Sequence, residues 1–218
     1  MKFEEISESV LGAFVVRQID NFFPDQSTGQ HEAITYCMHG ALERLFFCLS
    51  AVRMWKQGEF NPLNTSQYAT FLYFLSNEIW IKTGNTSVCG KLFALNKALN
   101  GIDLFYEINM PRRFFIGHSV GIVLAKASYG EYLVLYQNST VGRHRERIPK
   151  VGNGVVIFPN CAIIGNSVIG DNTVVSQGTS VLDSDTPGDC IVEHGRDRKL
   201  EFRALRRRYA EEYFRLDD

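Results

Sequence analysis

The chain has 218 residues and a formal net charge of −1 at pH 7, and 45% of its residues are hydrophobic. This length can bury a core in one or two domains, and the near-neutral charge gives no overall attraction to nucleic acid. No apolar run reaches the roughly 18 residues needed to cross a bilayer, and the acidic start lacks the basic region of a signal peptide. We therefore expect a cytoplasmic protein that has no membrane span and no nucleic acid partner.

The cysteines are odd in number and scattered along the chain. They are Cys37, Cys48, Cys89, Cys161 and Cys190. No two of them have the CxxC spacing of a zinc site, and an odd, scattered set is not typical of a disulfide framework. The sequence therefore favours free thiols and no metal ion.

Residues 1–104 are predicted to form an α-helical domain, because apolar residues recur there at helical spacing in four stretches. Turn residues separate and end these stretches at Pro24, 58–64, Gly84 with Asn85, and Asn100 with Gly101. The many aromatic residues of this half indicate a core and a subunit interface rather than a cofactor site.

The stretch from Val151 to Val181 repeats every six residues. Positions 151, 157, 163, 169, 175 and 181 are all Val or Ile. A period of six fits neither a helix nor an alternating strand, and it is typical of a parallel β-helix in which each side contributes one inward aliphatic residue. The predicted fold is therefore α+β, with a β-helix over 105–195 after the helical domain. Residues 196–218, which begin with many Arg and Lys, are predicted to form a C-terminal basic helix.

The same spacing is less regular upstream, at Ile116, Ile122, Ser128, Val134 and Thr140. From Thr140 the regular phase restarts only at Val151, so five residues are extra. Stacked sides cannot absorb an insertion, so a β-helix accommodates it as a loop at a corner. We expect this loop to present Arg143, His144, Arg145, Glu146 and Arg147. The alternative is a solvated corner loop without a function.

Residues 102–195 resemble the hexapeptide-repeat acyltransferases, and specifically the serine O-acetyltransferase family. The resemblance is strongest in 105–111 (FYEINMP), 117–124 (GHSVGIVL) and 136–142 (YQNSTVG), which precede the regular sixes. It implies a left-handed parallel β-helix and acetyl-CoA as co-substrate. It also implies a homotrimer, and it allows a dimer of trimers.

The helical half carries a second part of the resemblance. Segments 17–24 (RQIDNFFP) and 60–76 resemble the N-terminal helical domain of one branch of that family. Members of this branch often lie among surface-polysaccharide enzymes. The resemblance thus covers most of the chain.

His118 is the predicted general base. Acetyl transfer to a hydroxyl needs a group that takes the proton as the oxygen attacks the thioester, and neutral imidazole is the usual choice near pH 7. The family's catalytic histidine matches His118, and the carboxylate that orients it matches Glu107. The alternative for His118 is a structural histidine at a strand corner.

Two departures from the family concern the acceptor. Gly117 stands where the cysteine-biosynthetic members carry an Asp that holds the serine amine, and Ser66 stands near the place of a second such Asp. An Arg of the loop can hold a substrate carboxylate as a bidentate fork. The predicted acceptor-binding residues are therefore Arg143, His144 and Arg147, together with Gly117.

The resemblance also implies positions for CoA. The family lays the pantetheine between neighbouring coils of two subunits, and cations at the coil edge meet the phosphates. The matching positions and candidate cations are Gly142, Pro159, Ser176, Gln177, Arg196, Arg198 and Lys199.

Three functions remain open from the sequence. The first is an acetyl-CoA-dependent O-acetyltransferase that acts on serine in cysteine biosynthesis. The second is the same machinery acting on a sugar hydroxyl or an amino sugar of a surface polysaccharide. The third is a non-catalytic repeat protein that serves in assembly. The acceptor separates the first two, and the effect of replacing His118 separates both from the third.

Overall fold

The computed structural model describes residues 7–25 and 28–216, and within them four α-helices precede a parallel β-solenoid. Parts of three predicted segments lie outside the described residues. They are the start of the helical domain (1–6), the first turn (26–27) and the C-terminal end (217–218). The helices are α1 (Glu8–Phe22), α2 (Gln30–Ala51), α3 (Thr65–Thr83) and α4 (Thr86–Asn100). The prediction of four helices followed by a β-solenoid is confirmed.

Local sequence explains where these helices begin and end. The side chains of Ser7, Asn64 and Asn85 accept hydrogen bonds from the first backbone N–H groups of α1, α3 and α4. Gly84 and Gly101 end α3 and α4 in the left-handed conformation that glycine adopts readily.

The central helix α3 attaches the helical layer to the start of the solenoid. Every residue from 67 to 79 is buried. The hydroxyl of Tyr73 donates a hydrogen bond to the carbonyl of Ile108 at 2.7 Å, and the Asn77 amide donates to the carbonyl of Tyr106 at 2.6 Å. One hydrophobic cluster extends from the helices into the solenoid. The division of the chain at 104/105 stays a prediction.

The solenoid strands form three sheets. They are β1 (Asp103–Leu104), β2 (Phe114–Gly117), β3 (Val123–Leu124), β4 (Ser128–Tyr129), β5 (Leu133–Tyr136), β6 (Thr140–Gly142), β7 (Lys150–Val151), β8 (Val156–Ile157), β9 (Ala162–Ile164), β10 (Val168–Ile169), β11 (Thr173–Val175), β12 (Ser180–Leu182), β13 (Cys190–His194) and β14 (Leu200–Ala204). The sheet orders are β1-β3-β6-β9-β12, β10-β7-β4 and β14-β13-β11-β8-β5-β2. All described pairs are parallel except β13 with β14.

The regular sixes form the inner wall of the solenoid, as predicted. The residues at 151, 157, 163, 169, 175 and 181 are at most 4% exposed. Strand register places Val151 beside Ile169 and Ile163 beside Val181. Each aliphatic side chain therefore stacks on the one from the neighbouring coil.

The predicted phase upstream of the sixes holds at Ile116 and Ile122, which are buried in the core, but it is wrong by one residue from Ser128 to Thr140. Ile116 pairs with Leu135 and Leu124 pairs with Val141, so Leu135 and Val141 face inward. Val134, which was predicted to face inward, packs on the outer face of its sheet beside Phe115. Both faces of this strand are buried, so its sequence lacks the alternation that would reveal its register.

Two corners of the solenoid carry extra residues. Val141 and Val151 are ten residues apart, whereas their partners Ile163 and Ile169 are six apart, so the predicted loop contains four extra residues rather than five. The second corner follows Gly117. The connection from β2 to β3 at this corner is two residues longer than the connection from β5 to β6 in the next coil.

The prediction of a C-terminal basic helix was wrong. Residues 190–204 form an antiparallel hairpin of β13 and β14, and a short 3-10 turn follows at Tyr209–Glu212. The last parallel strand of a solenoid leaves unpaired backbone groups on its outer edge. Because β14 pairs with that edge, it forms a strand despite its charged residues.

Residues 205–216, here called the C-terminal strap, cross the outer face of the six-stranded sheet. Ala210, Tyr213 and Phe214 of the strap pack on outward residues of that sheet, namely Phe115, Val134, Val156 and Val174. The Arg215 guanidinium donates hydrogen bonds to backbone carbonyls at the end of α2 and beyond it, those of Ser50, Val52, Arg53 and Trp55. The strap therefore joins the solenoid to the helical layer. Among the described helices, none is long and apolar enough to cross a membrane.

Candidate active site

His118 lies on the elongated corner between β2 and β3. Its backbone has a φ of 63°, a left-handed conformation that histidine tolerates better than most non-glycine residues do. The Ser119 hydroxyl donates to the carbonyl of Asn100 at 2.7 Å, and the Gly121 N–H donates to the carbonyl of Gly101 at 2.9 Å. The end of α4 thus holds this corner, and the His118 side chain is exposed.

Among the described residues, no hydrogen bond or ion pair joins Glu107 to His118. The Glu107 carboxylate forms an ion pair with the ammonium of Lys126, which also lies 5.6 Å from the ring centre of Phe105. Within residues 7–25 and 28–216, the side chain of His118 makes no hydrogen bond or ion pair. The role of Glu107 as the orienting carboxylate stays a prediction, and the Lys126 ion pair competes with it.

The space next to Gly117 is filled by an aromatic ring. Gly117 pairs with Tyr136 of the next coil, and a Cβ atom added to Gly117 would lie 2.7 Å from Cε1 of that ring. Tyr136 stacks on Phe158 with the ring centres 5.6 Å apart, and its hydroxyl lies 3.4 Å from the hydroxyl of Tyr213 in the C-terminal strap. A carboxylate at position 117 has no room while these rings keep their places.

The charged loop and His118 lie at opposite ends of the strands of the five-stranded sheet. His118 precedes β3, whereas the loop follows β6, and these two strands are parallel neighbours. Backbone hydrogen bonds between His144 and Arg147, of 3.0 and 3.1 Å, close the loop into a turn. All five predicted loop residues are exposed. A single chain therefore does not bring His118 together with Arg143, His144 and Arg147.

His144 has a carboxylate partner that sequence reasoning missed. Its Nδ1 lies 2.9 Å from Oδ2 of Asp183, while Oδ1 of Asp183 accepts a hydrogen bond from the backbone N–H of Asn166 at 2.7 Å. The bond from Asn166, followed by that from His144, holds the pKa of Asp183 below its usual range. Asp183 begins the turn-rich segment 183–189 (DSDTPGD), which contains no catalytic or ligand-binding motif that would have pointed to it.

The residues that follow the strands of the six-stranded sheet form a line, here called the corner column. It contains His118, Gln137, Pro159, Ser176, Gln177 and the turn of the β13–β14 hairpin. Within the described chain, the side-chain oxygen of Gln137 is buried and accepts no hydrogen bond. Of the predicted CoA residues, Gly142 lies outside this column, because it is the last residue of β6, immediately before the charged loop.

The predicted phosphate-binding cations lie at the far end of the corner column. Arg196, Arg198 and Lys199 are exposed in the hairpin turn, and Lys199 pairs with Asp197 at 3.2 Å. His194 fixes the turn, because its Nε2 accepts from the backbone N–H of Ser180 at 3.1 Å and its Nδ1 donates to the carbonyl of Arg198 at 3.2 Å.

Other features of the described chain limit the chemistry. All five cysteines are buried free thiols. Across residues 7–25 and 28–216, no group of three or more His, Cys, Asp or Glu side chains is placed to hold a metal ion.

In sequence, the chain is similar to serine acetyltransferases over about half of its length. It is 30% identical to the enzyme of Synechococcus elongatus over 119 residues, which cover 52% of this chain and 48% of that protein. It is 24% identical to the enzyme of Staphylococcus xylosus over 143 residues, which cover 59% of this chain and 65% of that protein. The match thus spans less than two thirds of either relative. No family model matches the chain.

In fold, the similarity covers nearly the whole chain. A crystal structure of the Neisseria gonorrhoeae serine acetyltransferase superposes with a TM-score of 0.71 at 21% identity and covers 95% of this chain and 84% of that one. A serine acetyltransferase in complex with CoA gives a TM-score of 0.72 at 18% identity, with coverage of 91% and 86%. These structures show that the chain has the fold of a serine acetyltransferase.

Proposed function

We propose that this protein transfers the acetyl group of acetyl-CoA to a hydroxyl group, with serine as the first candidate acceptor. The observation that carries the proposal is the corner column, which has an exposed imidazole at one end and a cluster of exposed cations at the other. Four strand-to-strand steps separate the ends, which is about 19 Å at roughly 4.8 Å per step. An extended pantetheine and its phosphates fit a column of this length.

The corner column has the groups that a bound CoA needs. Gln137 follows His118 in the column, and its side-chain oxygen has no hydrogen-bond partner among the described residues. Pro159, Ser176 and Gln177 line the column beyond it, and the exposed Arg196, Arg198 and Lys199 meet the phosphates. Solved structures of similar fold include complexes of serine acetyltransferases with CoA and with serine, which supports the same ligands here.

His118 acts as the general base in this proposal. Its imidazole takes the proton from the acceptor hydroxyl as the hydroxyl oxygen attacks the thioester carbonyl. The C–S bond then breaks, and the departing CoA sulfur receives a proton, which leaves an acetyl ester and free CoA. The exposed, unpaired ring at the end of the column suits this role.

The proposed enzyme is a homotrimer, and a dimer of trimers is compatible with it. Within one chain, His118 and the charged loop lie at opposite ends of the parallel strands of the five-stranded sheet. A neighbouring subunit can supply the loop that faces His118, and rotational symmetry then repeats the site at each interface. We place this enzyme in the cytoplasm and, if serine is the acceptor, in cysteine biosynthesis.

A sugar acceptor of surface-polysaccharide synthesis is the second candidate, and one observation favours it. Tyr136 leaves no room for an acidic side chain at position 117, where an ammonium group of serine would need a counter-charge. An acceptor that lacks an ammonium group has no such need.

The test is release of free CoA thiol from acetyl-CoA, measured with L-serine and with a panel of sugars and nucleotide sugars. Turnover with serine well above hydrolysis in its absence supports the first acceptor. Turnover with a sugar but not with serine supports the second candidate, the sugar acceptor. If no hydroxyl acceptor raises thiol release, the protein is not an acetyltransferase of this class, and a non-catalytic assembly role remains.

A further inference from the structure

We propose that Asp183 is a positioning residue of the acceptor site, and that it acts by fixing the ring of His144. This inference rests on the proposed function, in which the charged loop meets the acceptor. It adds a residue from a later coil to that site. The finding behind it is the 2.9 Å contact between Nδ1 of His144 and Oδ2 of Asp183.

The contact spans two coils and depends on an intervening glycine. His144 belongs to the corner after β6, Gly165 to the corner after β9, and Asp183 to the corner after β12, and these three strands are successive in one sheet. A Cβ atom on Gly165 would lie 2.3 Å from Oδ1 of Asp183 and 3.0 Å from Cβ of His144. The four extra residues of the loop let His144 reach over this glycine to the carboxylate.

Asp183 is itself held firmly. Its Oδ1 accepts from the backbone N–H of Asn166 at 2.7 Å, which leaves Oδ2 directed at the imidazole. Its backbone has a φ of 45°, a left-handed conformation that Asp and Asn adopt more readily than most residues. The carboxylate is therefore oriented by the solenoid and not by the loop.

This arrangement determines which ring nitrogen of His144 faces outward. An ionised carboxylate at Nδ1 keeps the proton on that nitrogen, so Nε2 of the neutral ring has a free lone pair. Nε2 can then accept a hydrogen bond from a hydroxyl or amine group of the acceptor. Arg143 and Arg147 are exposed in the same loop and can bind an acceptor carboxylate.

The alternative is that the contact only fastens the loop to the solenoid. Two variants separate these roles. Asp183→Asn removes the charge but suits the left-handed corner. His144→Asn keeps an N–H donor near the position of Nδ1 but has no atom at the position of the outward Nε2. The matched control is Asp185→Asn, because Asp185 is also exposed and also accepts a backbone N–H, that of Val168 at 2.8 Å.

The experiment measures kcat and KM for the acceptor and for acetyl-CoA in the full-length protein, together with thermal unfolding. We expect Asp183→Asn and His144→Asn each to lower kcat/KM for the acceptor by about 10- to 100-fold, the scale of a lost hydrogen bond to a charged group. The KM for acetyl-CoA should not change, and Asp185→Asn should behave like the parent. The double variant should lose no more than either single variant. The ring ¹⁵N shifts of His144 should show a proton on Nδ1 in the parent and a mixed tautomer in Asp183→Asn.

Each other outcome has a definite meaning. An active parent whose His144→Asn variant keeps full activity overturns this inference and leaves the proposed function intact. The same holds if Asp185→Asn loses as much activity as Asp183→Asn, or if the two single losses add. A parent that transfers acetyl to no hydroxyl acceptor overturns both the inference and the proposed function.

Discussion

A Cβ atom on Gly117 would lie 2.7 Å from Cε1 of Tyr136, so these two residues fit together only because one has no side chain. Tyr136 is held in turn by Phe158 and by Tyr213 of the C-terminal strap. The residue before the predicted general base is therefore determined by an aromatic cluster on the outer face of the solenoid. In the proposed function, this packing links the choice of acceptor to the C-terminal strap.

We expect Gly117→Ala to destabilise the protein by about 1–3 kcal/mol, the usual cost of overpacking a filled space. Urea denaturation provides the measurement. Gly90→Ala is the control, because Gly90 lies inside α4 with no heavy atom within 4 Å of an added Cβ. That change should stabilise the protein by about 0.5–1 kcal/mol. A neutral result for Gly117→Ala would mean that the Tyr136 ring can move aside.

Replacing His118 should abolish most of the activity without unfolding the protein. His118→Asn keeps a side chain that tolerates the φ of 63°, so the thermal midpoint should stay close to that of the parent. We expect the rate of thiol release with the acceptor to fall by about 10²-fold or more, the scale of a general base. A variant that is folded and fully active would move the base to another residue.

Arg215 should contribute strongly to stability through its hydrogen bonds to four backbone carbonyls. Arg215→Ala removes a charged donor from four carbonyls, three of them at partly buried bonds, so we expect a loss of about 1.5–3 kcal/mol. Arg206→Ala removes the same charge from an exposed position of the same strap and should change stability by less than about 0.5 kcal/mol. Equal effects in urea denaturation would contradict a specific role for Arg215.

His39 should make stability depend on pH. The hydrogen bond that His39 Nδ1 donates to the Glu8 carboxylate, and then the charges of Glu43 and Glu8, raise the pKa of His39. Its contribution is therefore complete below the ordinary histidine pKa of about 6.5 and is lost as the pH rises through the raised value. The difference in unfolding free energy between the parent and His39→Gln should be larger at pH 6 than at pH 9. In a Glu8→Gln background most of this difference should disappear.

The cysteines should react slowly with thiol reagents in the native protein. All five are buried, and burial raises the pKa of Cys48 and of Cys89 to about 12. Because the thiolate is the reactive form, a colorimetric thiol assay should detect little reaction near pH 8 and five thiols after denaturation. A rapidly reacting thiol in the native state would show that one of these sites opens.

Prediction from the sequence succeeded where a residue pattern is compatible with only one local structure. The aliphatic residues from Val151 to Val181 sit on the inner wall because a six-residue period fits a solenoid and neither a helix nor a simple strand. Prediction failed at Val134 and Leu135, where both residues are apolar and both faces of the strand are buried. It also failed for β14, because a basic, polar segment forms a strand only when an unpaired edge lies beside it.

The sequence by itself determined the four helices, the solenoid and the position of the charged loop, because these depend on periodicity and turn residues close together in the chain. Only the tertiary structure decided which residues meet across coils. It paired Glu107 with Lys126 instead of His118 and placed Tyr136 against Gly117. It also brought His144 to Asp183, 39 residues further along the chain. Such contacts depend on strand register and on the lengths of all the corners in the coils between the two residues. The sequence near either residue therefore does not reveal them.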